Sequence, residues 1–245
     1  MKVRTNWVPN AFTMGNLFCG YFSVVMAAND KFVQASWLIV ASAVLDALDG
    51  QVARLTNASS HFGVEYDSLA DVVSFGFAPS FLAYKAVFIN WGIVGVLIGF
   101  GPLVFGSIRL ARFNVRLDGF DKKHFEGLPI PSAAVTIGSF VVFNYHFWGF
   151  LRWEKVFLFV VILVSVLMVT LIRFESLPNF TGPAAHKRSK ILIILTCMAL
   201  IIIFPQETFF PLAIIYVFSG PLRLIYHGLS RSESQNTINN KELQE

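Results

Sequence analysis

Four aspartates lie close together in an otherwise apolar part of the chain. Asp46 and Asp49 follow the apolar run VQASWLIVASAV, and Asp67 and Asp71 precede the run VVSFGFAPSFLAY. On an α-helix, residues three or four apart share one face, so each pair presents two carboxylates about 4.5 to 6 Å apart along the axis. An unpaired aspartate near the middle of a bilayer costs about 3 kcal/mol. Converging carboxylates of this kind therefore require a compensating cation.

The chemistry of the four carboxylates favours a metal site. Oxygen-only ligands suit the hard cations Mg²⁺ and Mn²⁺, and four carboxylates can hold two ions about 3.5–4 Å apart. The small residues Ala47, Gly50 and Ala53 would let a helix or a ligand approach the backbone between the acids. Two other interpretations remain open from the residues alone: exposed acids at helix ends, and an ion pathway through the membrane.

The composition indicates an integral membrane protein. The chain has 245 residues, of which 55% are hydrophobic and 14% charged, and its mean hydropathy is +0.62. Apolar stretches of about 20 residues, the length that crosses a bilayer, recur along it. We predict an all-α, polytopic helix bundle of about eight transmembrane helices, with a range of six to eight because Pro211 interrupts the end of the chain. The eight candidate spans are residues 9–28, 33–56, 67–89, 91–113, 130–149, 154–173, 190–205 and 208–226.

These spans form one membrane-embedded catalytic domain over residues 1–228, and the polar residues 229–245 are predicted to be a disordered tail. The first apolar run is interrupted by Asn10, Thr13 and Asn16 and is followed at once by further spans, so we expect a retained helix rather than a cleaved signal peptide. Cys19 and Cys197 lie in apolar spans and are expected to be packing residues.

The distribution of basic residues predicts the orientation. With the amino terminus inside and eight spans, one side of the membrane receives most of the lysines and arginines, which places both termini in the cytoplasm. These basic residues are Lys2, Arg4, Arg116, Lys122, Lys123, Lys187, Arg188, Lys190 and Arg231. The four aspartates then lie just inside the cytoplasmic face. The net charge of +4 is assigned to loops that face anionic lipid, and no nucleic-acid partner is expected.

The aspartates belong to a longer pattern. Residues 46–54 read D-x-x-D-G-x-x-A-R, and after eight further residues the chain continues as G-x-x-x-D-x-x-x-D at 63–71. This pattern resembles the signature of the CDP-alcohol phosphotransferases, which transfer a phosphate-containing group from a CDP-linked donor to an alcohol and release CMP. The resemblance implies that Asp46, Asp49 and Asp67 bind divalent metal, and that Asp71 contributes to the metal site and acts as the general base. It also implies that the nucleotide end of the donor lies beside four signature residues: Gly50, Ala53, Arg54 and Gly63.

Three further segments are similar to the integral-membrane phosphatidylserine synthases of that family. They are SLADVVSFGFAPSFLAY at 68–84, RLARFNV at 109–115 and GLPIPSAA at 127–134, and the similarity covers about residues 5–175. The resemblance implies CDP-diacylglycerol as donor, L-serine as acceptor and a homodimer. It also implies a location in the cytoplasmic (inner) membrane, with the active site facing the cytoplasm. An acceptor that carries phosphate, such as glycerol phosphate or inositol phosphate, remains the nearest alternative, and a divalent-cation transporter is a remote one.

Polar residues beyond the signature are candidates for binding the acceptor or a phosphate. Arg109 and Arg112 share a helix face, and guanidinium groups suit bidentate contact with phosphate or carboxylate. Asn114 could add a polar contact. The alternative for these residues is ordinary anchoring at the membrane surface. Ser132, in the two-proline segment GLPIPSAA, is expected either to cap the next helix or to contact the ligand.

Overall fold

The computed structural model describes residues 7–56, 61–117, 127–172, 174, 196–197 and 199–242. Within these ranges the chain is helical and contains no strand, as the composition predicts. The helices are α1 (Trp7–Ala28), α2 (Phe32–Thr56), α3 (His61–Asp71), α4 (Ala78–Ala86), α5 (Gly92–Leu117), α6 (Ile130–Trp148), α7 (Glu154–Val169) and α8 (Pro205–Glu242). Helices satisfy their own backbone hydrogen bonds, which an apolar chain in lipid requires.

Three of the described helical segments are long and apolar enough to cross a membrane: Ala11–Ala28, Phe32–Val52 and Phe88–Val115. Large apolar side chains on the outside of the bundle are exposed, for example Phe18, Leu69 and Ile93 at 63%, 66% and 71%. Such a surface suits lipid contact rather than water. The other predicted spans correspond to helices in the structure, except that residues 190–195 and 198 of the span 190–205 lie outside the described residues.

The predicted span 67–89 is a composite element. A π-helical segment, Val72–Phe77, joins α3 to α4 immediately after Asp71, and a 3₁₀ turn, Phe88–Trp91, precedes α5. Ser74, Phe75 and Gly76 in the π-helical segment are buried. A π-helical turn widens the helix by one residue and commonly occurs at functional sites.

The helices pack around an aromatic core. The rings of Phe140 and Phe157 are 5.1 Å apart, and Phe157 also stacks against Phe88 at 6.0 Å. Phe210 of α8 contacts Phe140 edge-on at 5.0 Å. These contacts hold α6, α7 and α8 together. α1 and α2 form an antiparallel hairpin, whose tight turn places Asp30 in the left-handed region with φ of 60°.

The start of α6 is fixed by its neighbours. Gly127, with φ of 81°, donates its N–H to Ile172, and Leu128 donates to Leu167, at 2.8 and 3.0 Å. Pro129 occupies the N-cap position in an extended conformation, as expected for a proline-rich helix entry. The suggested capping role of Ser132 is therefore wrong, because the helix begins at Ile130 and Ser132 already lies in its first turn.

The polar end of the chain, for which the sequence predicts a disordered tail over 229–245, is described as far as Glu242. The structure continues α8 through the polar residues 229–242. No proline or glycine occurs after Gly228, so the sequence there contains no strong helix-breaking residue.

Candidate active site

Three of the four aspartates converge in the structure. Asp46 comes from α2, and Asp67 and Asp71 come from adjacent turns of α3. One carboxylate oxygen from each lies within 4.8 Å of the others, as a shared cation would require. Among the side chains that the structure describes, none of the three forms an ion pair with lysine or arginine. Within the described part of the chain, no lysine or arginine therefore lies within ion-pair distance of the cluster.

Asp49 lies one helical turn beyond Asp46 and is 6% exposed. One of its oxygens accepts a hydrogen bond from the Thr13 hydroxyl of α1. Its charge acts on both Asp46 and Asp67, so it belongs to the same electrostatic cluster. It is nevertheless outside the set of three oxygens that lie close enough together to share one ion.

The acidic cluster fits a divalent cation. Asp49 Oδ1 and Asp67 Oδ1 are buried oxygens without a hydrogen-bond partner in the described part of the chain. An unpartnered buried carboxylate oxygen is costly, and a hard cation is the ligand that best satisfies it. These two oxygens, together with the convergence of Asp46, Asp67 and Asp71, match the oxygen-only chemistry of Mg²⁺ and Mn²⁺.

Asn16 of α1 orients Asp71. Its side-chain N–H donates to Asp71 Oδ1 at 3.1 Å. The Ser42 hydroxyl bonds to the side-chain oxygen of Asn16, which leaves the amide nitrogen directed at the carboxylate. Ser42 and Ser74 also donate to the Asn16 backbone carbonyl, at 2.9 and 3.0 Å. A fully buried, neutral network thus holds Asp71 without neutralising its charge.

The roles of Asn16 and Ser42 were missed from the sequence. Asn16 was used there only as a polar interruption of the first apolar run. The signal that could have identified it is its distance of three residues from Thr13, because residues at this separation share a helix face. Thr13 and Asn16 each donate a hydrogen bond to an aspartate of the cluster, so α1 forms one wall of the site.

The two candidate arginines have different surroundings. Arg109 is 7% exposed and interacts electrostatically with Asp71, and its Nε is buried without a partner among the described residues. Arg112 instead donates to the backbone carbonyl of Val169 at 3.2 Å, which ties α5 to the end of α7. Of these two described arginines, Arg109 is therefore the buried cation that interacts with Asp71.

The remaining candidates lie around this centre. Asn114 donates to the Ser68 hydroxyl at 2.9 Å, next to Asp67 in sequence. Gly50 is exposed on α2 and Gly63 is half-buried on α3. The side chains of Ala53 and Arg54 lie outside those that the structure describes. Ser132 lines a cavity between α2, α6 and α8.

Comparison with known proteins supports the interpretation of the signature. Residues 6–161 match the family model for CDP-alcohol phosphatidyltransferase. The chain is 42% identical over 220 residues to the CDP-diacylglycerol–serine O-phosphatidyltransferase of Helicobacter pylori, covering 89% of this chain and 91% of that protein.

Two more distant relatives have related names. An archaetidylserine synthase of Methanothermobacter thermautotrophicus is 37% identical over 180 residues, covering 73% of this chain and 72% of that protein. A CDP-diacylglycerol–serine O-phosphatidyltransferase of Mycobacterium tuberculosis is 30% identical over 223 residues, covering 88% of this chain and 77% of that protein. With its acidic cluster and its matching sequence, the chain belongs to the CDP-alcohol phosphatidyltransferase family.

Proposed function

We propose that this protein is a phosphatidylserine synthase. It transfers the phosphatidyl group of CDP-diacylglycerol to the hydroxyl of L-serine and releases CMP. The observation that carries the reaction class is the convergence of Asp46, Asp67 and Asp71 within a family of phosphatidyltransferases. The choice of serine rests on the 42% identity, over 89% of the chain, to a relative named for that acceptor.

The acidic cluster would hold Mg²⁺ or Mn²⁺, as two ions. Asp46, Asp67 and Asp71 supply the converging oxygens, and Asp49 contributes its buried Oδ1, which has no hydrogen-bond partner among the described residues. When bound, the ions would supply positive charge for the donor's pyrophosphate and for the departing CMP. The exposed Gly50 of α2 leaves room for the nucleotide end of the donor, beside Ala53, Arg54 and Gly63.

Asp71 is the proposed general base. It accepts the proton of the serine hydroxyl as the serine oxygen forms a bond to the lipid-side phosphorus. The bond between that phosphorus and the bridging oxygen breaks, and the electron pair leaves with CMP. The 3.1 Å hydrogen bond from Asn16 to Oδ1 fixes the orientation of the carboxylate towards the acceptor.

Buried arginine provides a binding group for the acceptor. Serine carries a carboxylate close to its reacting hydroxyl, so a base and a cation must lie side by side to bind it. The electrostatic interaction between Asp71 and Arg109 supports this role, as does the buried Arg109 Nε, which has no partner among the described residues. The walls of the acceptor site would be completed by Arg112, Asn114 and Ser132. The hydrogen bond from Arg112 to the Val169 carbonyl would position the arginine.

The membrane arrangement is also part of the proposal. Eight transmembrane helices would place both termini and the acidic cluster on the cytoplasmic side of the inner membrane, in a homodimer. The three long apolar helices and the exposed apolar surface support insertion in a membrane. The basic residues between the helices support this orientation.

The function is tested by CMP release from CDP-diacylglycerol by the purified full-length protein in detergent, with Mg²⁺ or Mn²⁺. We expect release to depend on L-serine and to yield phosphatidylserine. Glycerol phosphate and inositol phosphate are the control acceptors. Release with one of them, and none with serine, would overturn the acceptor and retain the reaction class. Metal flux in proteoliposomes without CMP release from any alcohol would overturn the enzyme.

A further inference from the structure

The two carboxylate oxygens of Asp49 have different surroundings. Oδ2 accepts a hydrogen bond from the Thr13 hydroxyl of α1. Oδ1 is buried and has no hydrogen-bond partner among the described residues. Because Asp49 is only 6% exposed, an oxygen left in this state is costly unless a donor or a cation satisfies it. One oxygen is therefore held by the protein, and the other is left for a ligand.

Thr13 is held in the position from which it donates to Asp49. Its side chain is 3% exposed, and its β-branch restricts it to few rotamers. The two helices lie close together at this level, since a Cβ added to Gly15 of α1 would lie 3.2 Å from Leu45 Cδ1 of α2. Leu45 is one helical turn before Asp49. The small Gly15 thus keeps α1 near enough to α2 for the short threonine side chain to reach the acid.

One face of α1 donates to acids from two different helices. Asn16, three residues after Thr13, donates to Asp71 of α3 at 3.1 Å, and Thr13 donates to Asp49 of α2. Both donors are neutral, so they orient the carboxylates without cancelling the negative charge that attracts a cation. This arrangement suits residues that position metal ligands better than residues that neutralise buried acids.

We propose that Thr13 is a positioning residue for metal binding: its hydroxyl holds Asp49 so that Oδ1 is presented to the divalent cation of the acidic cluster. This inference rests on the proposed function, which requires that cation. Asp49 lies outside the three oxygens that converge within 4.8 Å, so its contribution depends more on its orientation than theirs does. The competing interpretation is a hydrogen bond that only joins α1 to α2.

The test is the Mn²⁺ affinity of the full-length protein in detergent, without donor or acceptor, with free Mn²⁺ measured by electron paramagnetic resonance. We expect Thr13→Val, which removes the hydroxyl and keeps the side-chain shape, to raise the half-saturating Mn²⁺ concentration about ten- to hundredfold. Thr13→Ala removes the same hydroxyl and should show the same loss, whereas Thr13→Ser should remain close to wild type. A bond that only joins the helices would lower the melting temperature in chelator and leave the Mn²⁺ affinity unchanged.

Two further variants make the test specific. Thr136→Val makes the same change at a fully buried threonine that donates to the Ser132 backbone carbonyl within α6, so it should leave the Mn²⁺ affinity unchanged. Asp49→Asn should itself weaken Mn²⁺ binding. Adding Thr13→Val to Asp49→Asn should have little further effect, because Thr13 acts through Asp49.

The outcomes separate the two claims. Wild-type protein that makes phosphatidylserine, together with unchanged Mn²⁺ affinity in folded Thr13→Val, would overturn the role of Thr13 alone. An equal loss of affinity in Thr136→Val, or a full further loss on adding Thr13→Val to Asp49→Asn, would also overturn it. Wild-type protein that binds Mn²⁺ but releases no CMP with serine would overturn the proposed function, while the expected loss in Thr13→Val would still support its role. Wild-type protein that binds no Mn²⁺ would overturn both.

Discussion

The carboxylates at the two ends of the helix bundle differ in their ion pairing. At one end, Asp30 is 68% exposed and pairs with Lys85 at 3.2 Å, and Glu207 faces His146 at 3.3 Å. At the other end, about 20 Å along α2, Asp46, Asp67 and Asp71 face one another and form no ion pair with a described lysine or arginine. Both ends contain acids, but only one of them concentrates negative charge.

This difference separates acids that pair with a described basic side chain from acids that we propose bind a ligand. An exposed ion pair joins two elements at little cost and contributes about 0–1 kcal/mol. A cluster of half-buried carboxylates is unfavourable by itself, because each must leave water beside a like charge. The protein retains such a cluster only if something outside the chain compensates it, and a divalent cation with a pyrophosphate-containing donor would do so.

The sharpest contrast is expected from Asp71→Asn. The amide cannot accept the serine proton, and the cluster loses one of its converging oxygens. We expect CMP release with serine to fall by at least about a thousandfold. Asp30→Asn, at the other end, should retain at least half of the wild-type rate. Residual activity above a tenth of wild type in Asp71→Asn would rule out its role as the base.

Metal binding should stabilise the protein only through the acidic end. At a free Mg²⁺ or Mn²⁺ concentration of 100 times Kd, a cation that binds the folded state alone adds about 2.7 kcal/mol. Thermal unfolding in detergent should therefore shift upwards with metal and return to its starting point with a chelator. We expect Asp46→Asn to lose this shift and Asp30→Asn to keep it. An equal shift in both variants would indicate that metal binds elsewhere.

Loss of the Asn16 hydrogen bond to Asp71 should reduce activity less than loss of the Asp71 carboxylate. Asn16→Ala removes the amide that donates to Asp71 Oδ1 but keeps the backbone carbonyl that accepts from Ser42 and Ser74. We expect kcat to fall about ten- to hundredfold, as is usual for residues that orient a ligand. Steady-state kinetics at saturating metal measures this effect. A kcat within twofold of wild type would show that Asp71 does not need this support.

The smallest effect is expected at the exposed ion pair. Lys85→Ala should lower the free energy of unfolding by less than about 1 kcal/mol and leave the kinetics unchanged. Thermal unfolding with and without added salt measures it, since salt screens such a pair. A large loss of activity in Lys85→Ala would contradict the separation of the two ends.

The acidic site could be predicted in part from the sequence because its geometry is local. Asp67 and Asp71 are four residues apart on one helix, so their common face follows from the helix period alone. Their convergence with Asp46 requires only that α2 and α3 be antiparallel neighbours. The helix period does not show that Asp49, unlike Asp46, lies outside the set of three converging oxygens. Its contact with Thr13 depends on how α1 packs.

Other features depended on contacts between elements distant in sequence. Arg109 and Arg112 were equivalent in the sequence, and the structure distinguishes them because Val169 of α7 lies beside only one of them. The cavity that Tyr216 and Ser132 both line depends on how α8 packs against α6, which no local pattern encodes. The π-helical segment after Asp71 likewise contains no residue type that predicts it.

The most direct test of the acidic site compares the metal dependence of CMP release in three full-length proteins: wild type, Asp67→Asn and Asp30→Asn. Each is assayed with CDP-diacylglycerol and L-serine over a titration of Mn²⁺ after chelation. We expect saturable activation in the wild type and in Asp30→Asn, and no activation in Asp67→Asn although the protein remains folded. Equal activation of Asp67→Asn and wild type would contradict the assignment of this cluster as the metal-binding active site.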